Sequence, residues 1–180
     1  MKGFVRKNLL FSLCGLNCAL CPMQLGNYCP GCGGGDGNQS CAIARCSLEN
    51  GKVEFCFDCT QFPCSRYRQP AEFDSFITHQ NQLSDLQKAR QLGIVPYTQE
   101  LLQKRQILLY LLQNYNDGRK KLLFCTAVNL LPLTRLQSII ATLDNSESFN
   151  QKERSALAAS LLQQAADELG LSLRLRKKQK

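Results

Sequence analysis

The chain has 180 residues, the length of one domain or two small ones. It is 44% hydrophobic and 20% charged, which excludes a generally disordered protein. Lys and Arg number 22 against 14 Asp and Glu, and five of the basic residues lie in the last ten positions. No run of 18 apolar residues occurs, so the sequence excludes a membrane-spanning helix, and a single histidine excludes a histidine-rich metal site.

The N-terminus has the beginning of a signal-peptide pattern, with Lys2, Arg6 and Lys7 before a short apolar stretch. That stretch ends at Cys14, and no small-x-small cleavage site follows it. We therefore expect an uncleaved cytoplasmic protein without a membrane contact. In a reducing compartment, clustered cysteines bind metals or carry out redox chemistry more often than they form disulfides.

Ten of the eleven cysteines lie within one segment of 51 residues. Three pairs have the C-x2-C spacing, which lets two sulfur atoms reach one tetrahedral ion across a tight turn. A structural zinc ion contributes about 10–16 kcal/mol, which would replace the core that a segment so poor in apolar residues cannot build. The predicted metal ligands are Cys14, Cys18, Cys21, Cys29, Cys32, Cys41, Cys46, Cys56, Cys59 and Cys64.

Ten thiols fit two four-cysteine zinc sites with two thiols to spare. Sequential pairing gives one site from Cys18, Cys21, Cys29 and Cys32. The second site would then draw on Cys41, Cys46, Cys56, Cys59 and Cys64. An interleaved arrangement is equally compatible with the spacing, and Cys14 is the least certain ligand.

Iron is the alternative metal. Cys14-x3-Cys18-x2-Cys21 matches the three-cysteine spacing of radical S-adenosylmethionine enzymes, but the rest of the chain lacks their alternation of strands and helices. An iron–sulfur cluster in redox chemistry is therefore the first alternative function. Closed four-cysteine zinc sites leave no coordination position for a substrate, so we expect a binding or scaffold role rather than catalysis.

The composition changes from about residue 70 to Leu, Gln, Lys and Ala, which indicates a helical bundle. Helical spacing predicts helices over 73–92, from an N-cap at Thr98 to a break at 116–118, over 122–131, over 133–143 and over 150–169. The expected fold is mainly α. It comprises an irregular cysteine-rich metal-binding module of zinc knuckles (8–68), a helical bundle (69–170) and a basic flexible tail (171–180).

Three features outside the cysteine segment invite a functional interpretation. His79 is expected on an exposed helix face, and Cys125 is expected to be a small buried hydrophobic residue. The basic residues 119–121 and the tail make nucleic-acid binding the second alternative function. An unknown protein partner is the leading expectation.

The cysteine order resembles domain of unknown function family 3795, small prokaryotic cysteine-rich proteins regarded as zinc binders. The matching motifs are Cys14-Gly15-Leu16-x-Cys18-x2-Cys21-Pro22, Cys29-x-Gly31-Cys32, Cys41-x-Ile43-x2-Cys46 and Cys56-x2-Cys59-x2-Phe62-Pro63-Cys64. The stretch from Ala89 to Ile94 also resembles the family, so the resemblance covers about residues 12–105. It implies metal binding through all ten cysteines and implies no reaction. The glycine-rich insert at 33–37 and the helical extension beyond about 105 depart from the family.

Overall fold

The computed structural model describes residues 2–35, 41–67, 73–146 and 150–177. Within these ranges the chain forms seven α-helices and no β-strand, which confirms the mainly α prediction. The helices are α1 (Pro22–Leu25), α2 (Ala42–Glu49), α3 (Gln82–Leu92), α4 (Ile94–Asn114), α5 (Lys121–Leu130), α6 (Leu133–Asp144) and α7 (Gln151–Glu168). Short 3-10 turns lie at Cys18–Leu20, Cys56–Asp58 and Ser65–Tyr67. None of the described helices is both long and apolar enough to cross a membrane.

The described chain divides into two compact units. Unit 1 contains the described residues up to Leu101 together with Arg176 and Lys177, and unit 2 contains Leu102–Leu175. The boundary falls within α4, so α3 belongs to the same compact unit as the cysteines. Whether residues 8–68 form a metal-binding module that is separable from a bundle over 69–170 stays a prediction.

Unit 1 has an aromatic core. Phe11 is fully buried, and its ring centroid lies 4.7 Å from that of Tyr97 and 5.8 Å from that of Phe55. Beside it, Phe4, Leu13 and Ala44 form a small buried cluster. This core is larger than the apolar content between Cys14 and Cys64 suggests, because Phe4, Phe11 and Tyr97 come from outside that segment.

Arg6 is buried at the centre of three loops of unit 1. Its Nε donates to the carbonyl oxygen of Glu54 at 2.9 Å, and its Nη1 donates to those of Phe11 at 3.0 Å and Cys32 at 3.3 Å. The guanidinium carbon lies 4.9 Å from the centroid of the Phe55 ring. One side chain therefore ties the N-terminal segment to two of the three segments that carry C-x2-C pairs.

The predicted helix over 73–92 begins nine residues later than expected, at Gln82. The segment before it is held in a non-helical form by two buried side chains. The Asp74 carboxylate accepts the N–H of His79 at 2.8 Å, and the Thr78 hydroxyl accepts the N–H of Gln80 at 3.2 Å. These local bonds compete with helical ones, a known property of Asp and Thr.

The boundary between α3 and α4 was predicted only in part. Gly93 ends α3 with φ 85°, as expected for a residue that must adopt a left-handed conformation. The prediction of an N-cap at Thr98 is wrong, because α4 begins at Ile94. Pro96 lies in the first turn, where it removes no helical hydrogen bond. Thr98 instead accepts the side-chain amide of Asn8 at 3.3 Å.

The helices of unit 2 follow the sequence pattern closely. α5 is buried over Phe124–Asn129 and ends before Pro132, and α7 packs against both α5 and α6. The side chain of Asn150 caps α7 by accepting the N–H groups of Lys152 and Glu153 at 3.0 and 3.1 Å. Cys125 is 3% exposed, which confirms its prediction as a buried residue.

The C-terminal residues differ from the flexible tail predicted over 171–180. Leu173 is buried in unit 2, and Arg176 forms an ion pair in unit 1 with the fully buried Asp74 carboxylate, at 2.7 Å between Nη2 and Oδ1. The backbone N–H of Arg176 also donates to Asp74 Oδ2 at 2.8 Å. Residues 178–180 lie outside the described residues.

Replacing Asp74 with Asn is expected to destabilise unit 1 and to change the pH dependence of its stability. Burial alone would raise the pKa of Asp74, but hydrogen bonds from Arg176 and His79 outweigh it and hold the pKa below its ordinary value. A carboxyl group with a lowered folded pKa stabilises the fold above its unfolded pKa of about 3.9, and this stabilisation is lost as the pH falls through the folded pKa.

We expect D74N to lower the free energy of unfolding by about 1–3 kcal/mol at pH 7, with a smaller loss at pH 3. Urea unfolding at both pH values measures the difference. The exposed Glu49 serves as a matched control, since E49Q removes a carboxylate for which no partner is seen among the described residues. A D74N protein as stable as the parent at pH 7 would contradict the role given to this ion pair.

Candidate metal centre

All ten predicted ligands lie in unit 1 as reduced cysteines. Cys41 is exposed, and the other nine are partly buried. The described cysteines form no disulfide, so every one of these sulfur atoms is chemically available to a metal ion.

Two of the three C-x2-C pairs form the same turn. In the turns at Cys18–Leu20 and Cys56–Asp58, the N–H of the second cysteine donates to the carbonyl oxygen of the first, at 3.0 Å for Cys21 and 3.1 Å for Cys59. The second cysteines have almost equal dihedral angles, φ −76° and ψ 130° for Cys21 against φ −81° and ψ 137° for Cys59. The tight turn predicted from the spacing is thus present at both positions.

The third pair turns through Gly31, which has φ 98°. A Cβ atom at Gly31 would lie 2.5 Å from the carbonyl oxygen of Leu9, so both the conformation and the space require glycine. This contact places the Cys29–Cys32 turn against the N-terminal segment that Arg6 holds.

Cys18, Cys21, Cys29 and Cys32 form the first group of thiols. Burial raises the pKa of Cys18 to about 12, and the nearby thiols of Cys32, Cys14 and Cys21 contribute to the rise. Burial also raises the pKa of Cys21, with Cys29 contributing.

Backbone N–H groups oppose both of these pKa shifts. They are supplied by Cys32 to the sulfur of Cys18, and by Met23 and Gln24 to the sulfur of Cys21. Such N–H groups stabilise a thiolate and orient it, which is the usual environment of a metal-binding cysteine.

Cys46, Cys56, Cys59 and Cys64 form the second group, and all four line one cavity of about 40 Å³. Burial raises the pKa of Cys56 to about 12, and the thiols of Cys14, Cys64 and Cys46 add to the rise. A space of this size holds at least one water-sized particle. The second group therefore surrounds a space large enough for a single ion.

Tyr67 is a part of the second group that the sequence analysis missed. Its hydroxyl hydrogen-bonds to the thiol of Cys56, and it donates to the carbonyl oxygen of Cys14 at 3.4 Å. The ring packs edge-on against Phe62, with centroids 5.6 Å apart. The sequence signal that could have identified Tyr67 was a tyrosine three residues after Cys64.

Cys14 and Cys41 lie outside both groups. Burial raises the pKa of Cys14, the Ser12 hydroxyl 3.3 Å away opposes this, and the thiols of Cys32 and Cys41 add to the rise. Cys14 also contributes to the raised pKa of Cys56, so its sulfur is near members of both groups.

The thiols do not already form a closed metal site. Among the described residues, no three Cys, His, Asp or Glu side chains have an arrangement that could hold a metal ion. Raised pKa values keep the thiols of Cys14, Cys18, Cys21 and Cys56 neutral, and neutral thiols do not attract one another. A divalent cation lowers thiol pKa values and draws thiolates together. The predicted zinc knuckles therefore stay a prediction.

The sequence predicted His79 on an exposed helix face, and this prediction is wrong. It precedes α3 and is partly buried, with Nε2 3.0 Å from the Ser75 hydroxyl. Burial lowers its pKa and Arg176 lowers it further, while Asp74 opposes both. The loop bonds of Asp74 that shorten α3 account for the difference.

No protein-family model matches the chain, and no similar curated protein or solved structure was found. The resemblance to family 3795 rests on the sequence motifs alone. The function has to be argued from the side chains of unit 1.

Proposed function

We propose that the chain is a zinc protein in which two four-cysteine sites stabilise unit 1, and that it binds or scaffolds a partner protein. The observation that carries this proposal is that Cys46, Cys56, Cys59 and Cys64 line one cavity, while the C-x2-C pairs at Cys18 and Cys56 form the same kind of 3-10 turn. We adopt the sequential pairing because Cys46, Cys56, Cys59 and Cys64 line one cavity, which leaves the two earlier C-x2-C pairs for the other site.

The first zinc ion would be held by Cys18, Cys21, Cys29 and Cys32. The second would be held by Cys46, Cys56, Cys59 and Cys64, the four cysteines around the smaller cavity. Tyr67 would then act as a positioning residue, since its hydroxyl can turn its one proton from the carbonyl oxygen of Cys14 to the Cys56 thiolate while the metal holds the sulfur.

Zinc binding would be coupled to the release of protons and to a local closing of unit 1. The thiols of Cys18 and Cys56 have raised pKa values, so each must lose a proton to become a ligand. The thiolates must also move toward one another to reach zinc–sulfur distances of about 2.3 Å. The zinc sites are therefore part of the folding energy of unit 1.

Four thiolates around a tetrahedral ion leave no position for a water molecule or a substrate. Zinc in such a site does not activate water, so this proposal assigns no reaction to the metal. Nucleic-acid binding through the C-terminal residues has weaker support, since Arg176 already pairs with Asp74.

Metal analysis of cysteine variants tests this proposal. Protein purified without oxygen is expected to contain about two zinc ions per chain and to lack absorbance near about 400 nm. C56S is expected to retain about one zinc ion, because it removes a ligand of one site only. C125A is the matched control, and it should keep both ions because Cys125 lies in unit 2.

Two results would contradict the proposal. Iron with labile sulfide and absorbance near about 400 nm would support the iron–sulfur alternative instead. If C56S still contains about two zinc ions per chain, Cys56 is not a zinc ligand.

A further inference from the structure

Unit 1 contains a second, larger cavity of about 550 Å³ that the proposed zinc sites do not use. It lies between the loop of Cys14, the beginning of α2, the 3-10 turn Ser65–Tyr67 and the segment before α3. We propose that this cavity binds a small organic anion, with Arg66 recognising the carboxylate or phosphate group and the apolar wall holding the remainder of the molecule.

The size of the cavity is that of a small-molecule site. Pockets that bury most of a small ligand measure about 300–1,000 Å³ and combine an apolar lining with a few polar groups. Leu16, Ile43 and Leu83 supply the apolar lining here. A single aromatic ring with one acidic substituent fits well within this volume.

The charge of the lining favours an anion. Arg66 is exposed and lines the cavity, and no Asp or Glu is among the described lining residues. The neighbouring carboxylate, Asp74, is already neutralised by Arg176 at 2.7 Å. Within the described part of the chain, Arg66 has no ion pair or hydrogen bond of its own, so its guanidinium is available to a ligand.

Other hydrogen-bonding groups of the lining would complete the recognition. Ser75 and His79 line the cavity and are bonded to each other, with 3.0 Å between Oγ and Nε2. Gln82, at the beginning of α3, also lines the cavity. An arginine guanidinium commonly binds a carboxylate or a phosphate with two parallel N–H bonds, and the hydroxyl and amide groups of this lining could bind the remaining oxygen atoms.

The backbone of Arg66 is fixed by its neighbours. The turn Ser65–Tyr67 follows Cys64 directly, and the N–H of Tyr67 donates to the carbonyl oxygen of Cys64 at 3.0 Å. The hydroxyl of Tyr67 donates to the carbonyl oxygen of Cys14 across the cavity wall. The backbone bond from Tyr67 to Cys64 fixes the turn that carries Arg66, and it does not depend on the hydroxyl that would turn to Cys56 when zinc binds.

Calorimetric titration of the full chain, as purified with its metal, tests the proposal with three probes of similar size. Benzoate and phenyl phosphate carry the anionic group, and benzyl alcohol is the neutral control. We expect at least one anion to bind with a Kd below about 1 mM, and benzyl alcohol to bind at least about tenfold more weakly. The preferred anion distinguishes a carboxylate ligand from a phosphate ligand.

R66Q is expected to weaken anion binding about tenfold or more and to leave benzyl alcohol unchanged. R90Q removes another exposed arginine of unit 1 and is the matched control. L83W should fill the cavity and weaken all three probes.

The proposal is overturned if neither anion binds with a Kd below about 10 mM, or if R66Q and R90Q bind the anions equally. Unchanged zinc content and circular dichroism show that R66Q is folded. These readouts separate failure of the anion site from failure of the zinc sites.

Discussion

Removing zinc from the purified protein is expected to unfold the cysteine-containing part of unit 1 while α5, α6 and α7 persist. A structural zinc ion contributes about 10–16 kcal/mol to folding, as much as the whole stability of a typical domain. Unit 1 has a core around Phe11, but its two groups of four cysteines would lose all their zinc–sulfur bonds. Unit 2 contains no proposed ligand and has its own buried helix, α5.

Hydrogen exchange before and after chelation measures this effect segment by segment. Amides of the Cys18–Leu20 turn, α1 and α2 should lose their protection, whereas those of Phe124–Asn129 should keep it. Adding zinc back should restore the lost protection. Full protection of α2 in protein freed of zinc would mean that the aromatic core alone holds unit 1, and the structural role of the metal would be wrong.

Replacing Arg6 with Met is expected to destabilise unit 1 by about 3–5 kcal/mol. Methionine preserves much of the apolar stem but leaves three carbonyl oxygens, those of Phe11, Cys32 and Glu54, without their donor. The Glu54 carboxylate also loses the positive charge 3.6 Å away. Buried acceptors without partners are among the few causes of such large effects.

The R6K variant separates the effect of the positive charge on stability from the effect of the planar guanidinium geometry. Lysine keeps the charge but cannot present a planar fork to carbonyls from three loops, so about half of the loss is expected to remain. Urea unfolding of the zinc-loaded protein gives both values. K7A is the control and should change stability by less than about 0.5 kcal/mol, because Lys7 is exposed. If R6M and K7A change the free energy of unfolding by the same amount, the loops are held together without Arg6.

Much of unit 2 could be predicted from sequence because its signals are local. The apolar run before Pro132 predicts α5, and the capping pair Asn150 and Glu153 marks the beginning of α7. The end of α3 was also predictable from a local signal, because Gly93 adopts a positive φ that favours glycine.

The misses in unit 1 come from contacts between residues far apart in the chain. Asp74, whose bond to the N–H of His79 delays the beginning of α3, is itself bound by Arg176, which is 102 residues away. Arg6 belongs to a basic N-terminal pattern, and only the fold reveals that Glu54 and Phe55 enclose it. No local pattern reports such burial.

The candidate site is an intermediate case. The C-x2-C spacing correctly predicts tight turns at Cys18 and Cys56, because turn geometry is local. The grouping of the cysteines is not local, so sequence alone left sequential and interleaved pairings equally open. Cys14 lies near both groups, which its place at the beginning of the cysteine order does not suggest.

Zinc K-edge X-ray absorption of protein purified without oxygen tests the central claim most directly. The account predicts a first shell of four sulfur atoms at about 2.3 Å and no nitrogen or oxygen ligand, averaged over both sites. An oxygen or nitrogen atom among the zinc ligands would mean that the site is not a closed four-cysteine site. A catalytic role for the metal would then have to be tested. Protein without zinc, or with iron in its place, would contradict the account.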